Sequence, residues 1–288
     1  MPASEANRPG TLLGAAPLHR PPLCSMPLPS PHHRARLAAL SAVFGDDELR
    51  DAFALDGGLV LQRVFGSPRD SDDVDLNHVE PYPHGAGPDA RARLLRTIGR
   101  IRARLPLTGR AFGLLDATIE VERWSDRLAT VYAWVVYRSE EDVRGRLELQ
   151  ATLCEPICRP VRARIDGVEV LAQSLEDVVA AKLKTLLQQA DRGKVRHADV
   201  YDLWFGIEGA SLVIRPEDVR PCLLDKMALW PELGPATAER FRQRSVVTFA
   251  EQGHRKLRAE QPDLEIPPFD AVWRRVLAFV DAMDLPAA

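Results

Sequence analysis

No apolar run in the chain approaches the roughly 18 residues that a membrane-spanning helix needs, so no transmembrane segment is expected. A signal-peptide layout is missing too, because Pro17, Pro21 and Pro22 interrupt the only apolar stretch near the N-terminus. These two absences point to a cytoplasmic protein. Cysteine is scarce, with four in 288 residues, at positions 24, 154, 158 and 222. Cys154 and Cys158 form a C-x-x-x-C pair, but no second pair or nearby histidine completes a zinc set, and reduced thiols are the expectation. Neither sign of charge dominates: 38 Lys and Arg stand against 41 Asp and Glu. A global basic field is thereby excluded, and any contact with nucleic acid must use a local patch. No internal repeat is visible.

What is present divides by pattern. Residues 1–31 are rich in Pro and small residues without a period, which predicts a disordered tail. A helical pattern starts near Arg34 (Leu37, Leu40, Val43), and Asp46 or Asp47 is placed to cap a second short helix. Residues 53–55 read as a buried strand ended by Gly57-Gly58, and residues 59–65 as a short helix stopped by Gly66-Ser67-Pro68. Residues 89–104 are helical with an arginine-rich face. Alternation predicts strands over 118–122, 130–137 and 146–153, with a turn at 124–127. Asp166-Gly167 between two alternating runs predicts a type I′ hairpin. From Ser174 onward the pattern is helical, broken at Pro216, Pro231, Pro235 and Pro267-Pro268. The expectation is an α+β protein: a mixed-sheet core with flanking helices over 32–172, then an all-helical part over 173–288.

Three features carry chemistry. Gly57-Gly58, between strand and helix, would let a phosphate approach the backbone, or is an ordinary strand-to-helix turn. In Asp73-Val74-Asp75-Leu76, strand alternation puts both carboxylates on one face. Such a pair repels unless a cation lies between, and oxygen ligands suit Mg²⁺; the plainer alternative is a polar turn. Asp70 and Asp72 lack apolar partners and read as loop residues. Third, Ser174-x-x-Asp177 opens a helix over 175–189 whose buried stripe is Leu175, Val178, Val179, Leu183, Leu186 and Leu187. Lys182 sits on that stripe, where it either snorkels to the rim or reaches into a cleft and neutralises an anion. Beyond it, Arg192, Lys194, Arg196 and His197 could grip phosphate, just ahead of Asp199 and Asp202, one helical turn apart.

In this order the motifs resemble the AbiEii/AbiGii-type nucleotidyltransferase toxins of the DNA polymerase β-like superfamily. The residues are Asp56-Gly57-Gly58, Arg69-x-Ser71-x-Asp73-Val-Asp75-Leu76, Arg146-Leu-Glu148, Cys154-Glu-Pro156, Ala181-Lys182-Leu183 and Asp199-Val-Tyr201-Asp202-Leu203. One departure is visible: the arginine usual just before the first Asp of the last motif is Ala198, with Arg196 two positions earlier. The resemblance implies that Asp73, Asp75 and Glu148 hold Mg²⁺ or Mn²⁺ against an NTP, with pyrophosphate leaving. It implies Gly57 and Gly58 at the triphosphate, Arg69 and Ser71 as phosphate contacts, and Lys182 neutralising phosphate charge. Asp199 would orient Lys182 or a substrate group, and Asp202 would support the helix. It further implies a cognate antitoxin and an RNA or tRNA acceptor, toward which the arginine-rich helix could guide the backbone unless that face is simply solvated. A protein or small-molecule acceptor is a second reading. A catalytically silent nucleotide- or partner-binding module is a third, and the intact Asp73, Asp75 and Glu148 count against it.

Overall fold

The computed structural model describes residues 29–82 and 87–287. The expected tail therefore falls mostly outside the described residues, but its boundary moves: α1 (Pro31–Phe44) already begins at Pro31, with Ser30 Oγ accepting from the His33 N–H at 3.2 Å. Asp46 does behave as a cap, its Oδ1 accepting from the Glu48 and Leu49 N–H groups, yet only two successive turns, closed at Arg50 and Phe53, form before the chain enters β1 (Phe53–Asp56). Next come α2 (Gly58–Arg63), β2 (Val74–His78) and α3 (Gly87–Ala111). The strand expected over 118–122 is the middle of the longer β3 (Leu114–Ser125), so Trp124 belongs to the strand rather than to the turn. The Arg91 guanidinium lies over its ring, 5.3 Å from the centroid. After β4 (Thr130–Ser139) and β5 (Arg144–Thr152), the hairpin β6 (Pro160–Ile165) and β7 (Val168–Gln173) turns at Asp166 and Gly167. Both turn residues have positive φ, 45° and 92°, as a type I′ turn requires.

The seven strands form one mixed sheet in the order β3-β4-β5-β2-β1-β7-β6. β2 runs parallel to β5 and β1 parallel to β7, while the remaining pairs are antiparallel. Val74, Leu76, Val131, Ala133, Val135, Leu147, Leu149 and Ala151 are buried, and α1 packs against β3, β4, β5 and β7. Alternation leaves the opposite face of the central strands for polar side chains. On that face the registers align one row across five strands: Asp56 opposite Asp75, Asp75 beside Gln150, Gln150 opposite Tyr132, and Tyr132 opposite Arg123.

The C-terminal part consists of α4 (Leu175–Arg192), α5 (Asp199–Trp204) running into a π-helical turn, α6 (Pro216–Ala228), α7 (Ala238–Phe241), α8 (Arg244–Glu260) and α9 (Phe269–Ala282). The Ser174 side chain caps α4, and Gly193 closes it at φ 60°. Every residue of the expected stripe is buried. The fold is thus the expected mixed α/β sheet followed by helices.

The arginines of α3 are largely spent within the molecule. Arg93 bonds His78 Nε2 and Tyr82 Oη, Arg100 pairs with Asp46 and Glu48, and Arg102 and Arg104 donate to the carbonyls of Ile119 and Gly45.

Candidate active site

The β1–α2 turn, the loop leading into β2, then β2, β3, β4, β5, α4, the loop before α5 and α8 enclose a cleft of about 590 Å³. It brings together all the residues singled out above: Gly57, Gly58, Arg69, Ser71, Asp73, Asp75, Glu148, Lys182 and Asp199. Gly57 has φ 77°, and a Cβ there would come within 2.8 Å of Asp75 Oδ2. A Cβ on Gly58 would run into Arg69 Nη2 and Ser71 Oγ. The positive φ of Gly57 and its closeness to Asp75 call for glycine, so the turn lies flush against that carboxylate.

The acids form one corner. Because Val74 pairs with Leu149 and Asp75 with Gln150, Glu148 falls beside Asp73. Asp56 joins from β1; its Oδ2 accepts from Asn77 Nδ2 at 2.6 Å. Burial, then the neighbouring Asp56 and Asp73, push the Asp75 carboxyl up to about 7. Glu148 is raised by burial and by Asp73, and Asp56 by burial and by Glu155. All the donors in this corner are carboxylate oxygens, the type that hard divalent cations take. Among the described residues, no three of these carboxylates bring oxygens within 4.8 Å of one another; the set that does so lies elsewhere.

Opposite stands a basic wall. Lys182 Nζ lies 3.0 Å from Asp199 Oδ1 and 2.7 Å from Asp202 Oδ2. Of the two roles open to it, Lys182 takes the inward one, at 12% side-chain exposure. Burial would pull its ammonium down, but Asp202 and Asp199 outweigh this and raise it. Asp202 does more than support its helix: Arg69 forks onto it through Nε at 2.6 Å and Nη2 at 3.1 Å. Burial would raise the Asp202 carboxyl, yet Lys182 and Arg69 hold it below its ordinary value. Arg69 is thus anchored by an acid, with an edge still lining the cleft. Gln189 Nε2 donates to Asp199 Oδ2 at 3.0 Å, and Gln189 Oε1 accepts from the Arg196 N–H at 3.1 Å, so α4 sets the loop that follows it. Arg196 Nε lies 3.6 Å from Asp199 Oδ2, which supplies near Asp199 the arginine that Ala198 cannot. Arg192, Lys194 and His197 line the same wall, joined by Lys256 of α8.

Asp56, Arg123, Tyr132, Gln150 and Lys256 were not foreseen. Strand alternation signals that Gln150 and Tyr132 share the polar face with Glu148, but only the sheet order brings Arg123 and Asp56 into the same row. Arg123 stacks on Tyr132 with its guanidinium carbon 3.3 Å from the ring centroid.

A Gly-Gly turn at the end of a strand, paired acids on the adjacent strand and a lysine on the facing helix are the arrangement expected of a nucleotidyltransferase. The chain belongs to the nucleotidyl transferase AbiEii toxin family of type IV toxin–antitoxin systems, whose model matches residues 38–275. MenT4, a nucleotidyltransferase toxin from Mycobacterium tuberculosis, shares the fold with a TM-score of 0.53 at 16% identity, covering 90% of this chain and 87% of that one. The JHP933 structure from Helicobacter pylori aligns with a TM-score of 0.43 at 15% identity, over 82% of this chain and 97% of that one. No curated protein sequence matches.

Proposed function

We propose that this enzyme moves a nucleoside monophosphate from an NTP to a hydroxyl of tRNA or another RNA, in a Mg²⁺- or Mn²⁺-dependent reaction held in check by a cognate antitoxin. The supporting observation is the opposition of a carboxylate corner and a basic wall within one cleft. Asp73, Asp75 and Glu148 would hold the cation, and the crowding that raises Asp75 to about 7 is the repulsion a dication relieves. Bound there, the ion would offset charge on the triphosphate and on the attacking oxygen.

The protein's own groups do the rest. The bare Gly57-Gly58 backbone admits the triphosphate, and Ser71 and the cleft-lining edge of Arg69 flank it. Lys182, kept protonated by Asp199 and Asp202, faces the phosphates along with Lys194 and Arg196. The proton of the attacking hydroxyl passes to a carboxylate of this corner. The oxygen bonds to the α-phosphorus as its bond to pyrophosphate breaks.

Purified protein incubated with each α-labelled NTP, Mg²⁺ and either total RNA or total protein tests this beside Asp75→Asn. Label is expected in RNA, with one preferred nucleotide and with wild type only. Label confined to the protein pool would overturn the RNA acceptor, and no label from folded wild type would overturn nucleotidyl transfer to either class.

A further inference from the structure

Beneath the catalytic cleft, the fold unites residues that the sequence keeps apart. Cys158, in the loop between β5 and β6, Cys222 on α6 and Asp177 in the first turn of α4 each bring a ligand atom within 4.8 Å of the other two. Cys222 and Asp177 are buried, and Cys158 is half-buried, so the set has one side open to solvent. The Asp177 carboxylate is held firmly, with Oδ2 accepting the Cys158 N–H at 3.2 Å and Oδ1 lying 2.9 Å from Lys226 Nζ.

We propose that Cys158, Cys222 and Asp177 form a binding site for one thiophilic divalent cation, Zn²⁺, with water as the fourth ligand on the open side. Two sulfurs and one carboxylate oxygen are a donor set that Zn²⁺ takes and Mg²⁺ does not. Charge favours it as well. Two thiolates and one carboxylate around a dication leave a single negative charge, and the fully buried Lys226 ammonium balances it. Without metal, Asp177 is paired to Lys226, and binding through thiolates releases the thiol protons. Loading therefore exchanges two thiol protons for one cation and leaves no uncompensated buried charge.

The site would tie the β5–β6 loop to α4 and α6. That loop carries Glu155, which pairs with Lys184, and Pro156, whose carbonyl accepts from Lys226 Nζ at 2.7 Å. Zinc would thus brace the floor under Asp56 without taking part in nucleotidyl transfer, and its presence is independent of that activity.

The test is a titration of reduced, metal-free full-length protein with Co²⁺ and then Zn²⁺, in excess Mg²⁺ to occupy oxygen-only sites. One equivalent of Co²⁺ should produce a thiolate-to-cobalt charge-transfer band that one equivalent of Zn²⁺ abolishes. The band should be missing in Cys222→Ser and in Cys158→Ser. Because two protons leave, the apparent Kd should tighten about 100-fold per pH unit below the thiol pKa values. Cys158→Ser, at the half-buried position, keeps the test valid if Cys222→Ser fails to fold. No band from folded wild type, or an undiminished band in folded Cys158→Ser, would overturn the proposal.

Discussion

At Gly57 the backbone conformation and the space above it make the same demand. Its φ of 77° and ψ of −150° lie in a region open essentially to glycine, and an added Cβ meets Asp75 Oδ2. Gly57→Ala is expected to cost about 1–3 kcal/mol in urea denaturation and to abolish turnover, since the carboxylate must move aside. Lys182 offers a contrasting test. Its ammonium is the shared counter-ion of Asp199 and Asp202, both almost fully buried. Lys182→Met leaves two buried acids with a missing partner, so a loss of about 3–5 kcal/mol in the same assay is expected. Labelled transfer by whatever folds should fall by about 10²–10³. If Lys182→Met keeps full activity, Lys182 is a structural counter-ion and nothing more.

Between elements, the β5–β6 loop is fastened to α4 and α6 by a buried charge cluster. Glu155 sits between Lys184 and Lys226, and Lys226 also meets Asp177. Burial would raise the Glu155 carboxyl, but Lys184 and Lys226 outweigh it and hold it at about 2. An unfolded glutamate titrates near about 4.3. The folded state therefore binds fewer protons than the unfolded state between these values. The stabilisation is complete above the upper value and is lost as pH falls toward the lower one. Glu155→Gln should lower stability at neutral pH by about 3–5 kcal/mol and flatten the fall in melting temperature between pH 5 and pH 2. An unchanged acid limb would assign the pH response to other carboxylates. The arginines of α3 carry a similar lesson: those that bond carbonyls, His78 or Asp46 hold the helix to the sheet and its neighbouring turn.

For the whole molecule, a net charge of −3 means that a polyanionic substrate is drawn in by a local field alone. Lys194 and Lys256 are exposed at the cleft and have no buried partner to leave behind. A Lys194→Gln, Lys256→Gln double variant is expected to raise KM for the NTP about 10-fold, with an unchanged melting temperature. Its kcat/KM should also depend less on salt than that of wild type. A fall in kcat with constant KM would instead place these lysines in the chemical step.

No helix among the described residues is long and apolar enough to cross a membrane. Local pattern alone determined this, along with most element types, though not the turns after Asp46 or the full length of β3. It also determined the Asp166-Gly167 hairpin, the Ser174 cap and the buried stripe of α4. Each rests on a period or on a residue's own backbone preference, which neighbours in the chain suffice to set. The ordered motifs likewise singled out the acids, the glycines and Lys182, which the fold brings into one cleft. Tertiary structure decided what depends on sheet order and helix packing. It put Asp56 beside Asp75, laid Arg123 over Tyr132, made Asp202 the bridge between Arg69 and Lys182, and bonded Arg93, Arg100, Arg102 and Arg104 of α3 to neighbouring elements. It also paired Cys158 with Cys222 across 64 positions rather than completing a set with Cys154. Spacing along the chain carries no trace of such proximity, because two residues far apart in sequence meet only when the elements bearing them pack, and packing is set by the sum of the buried surface.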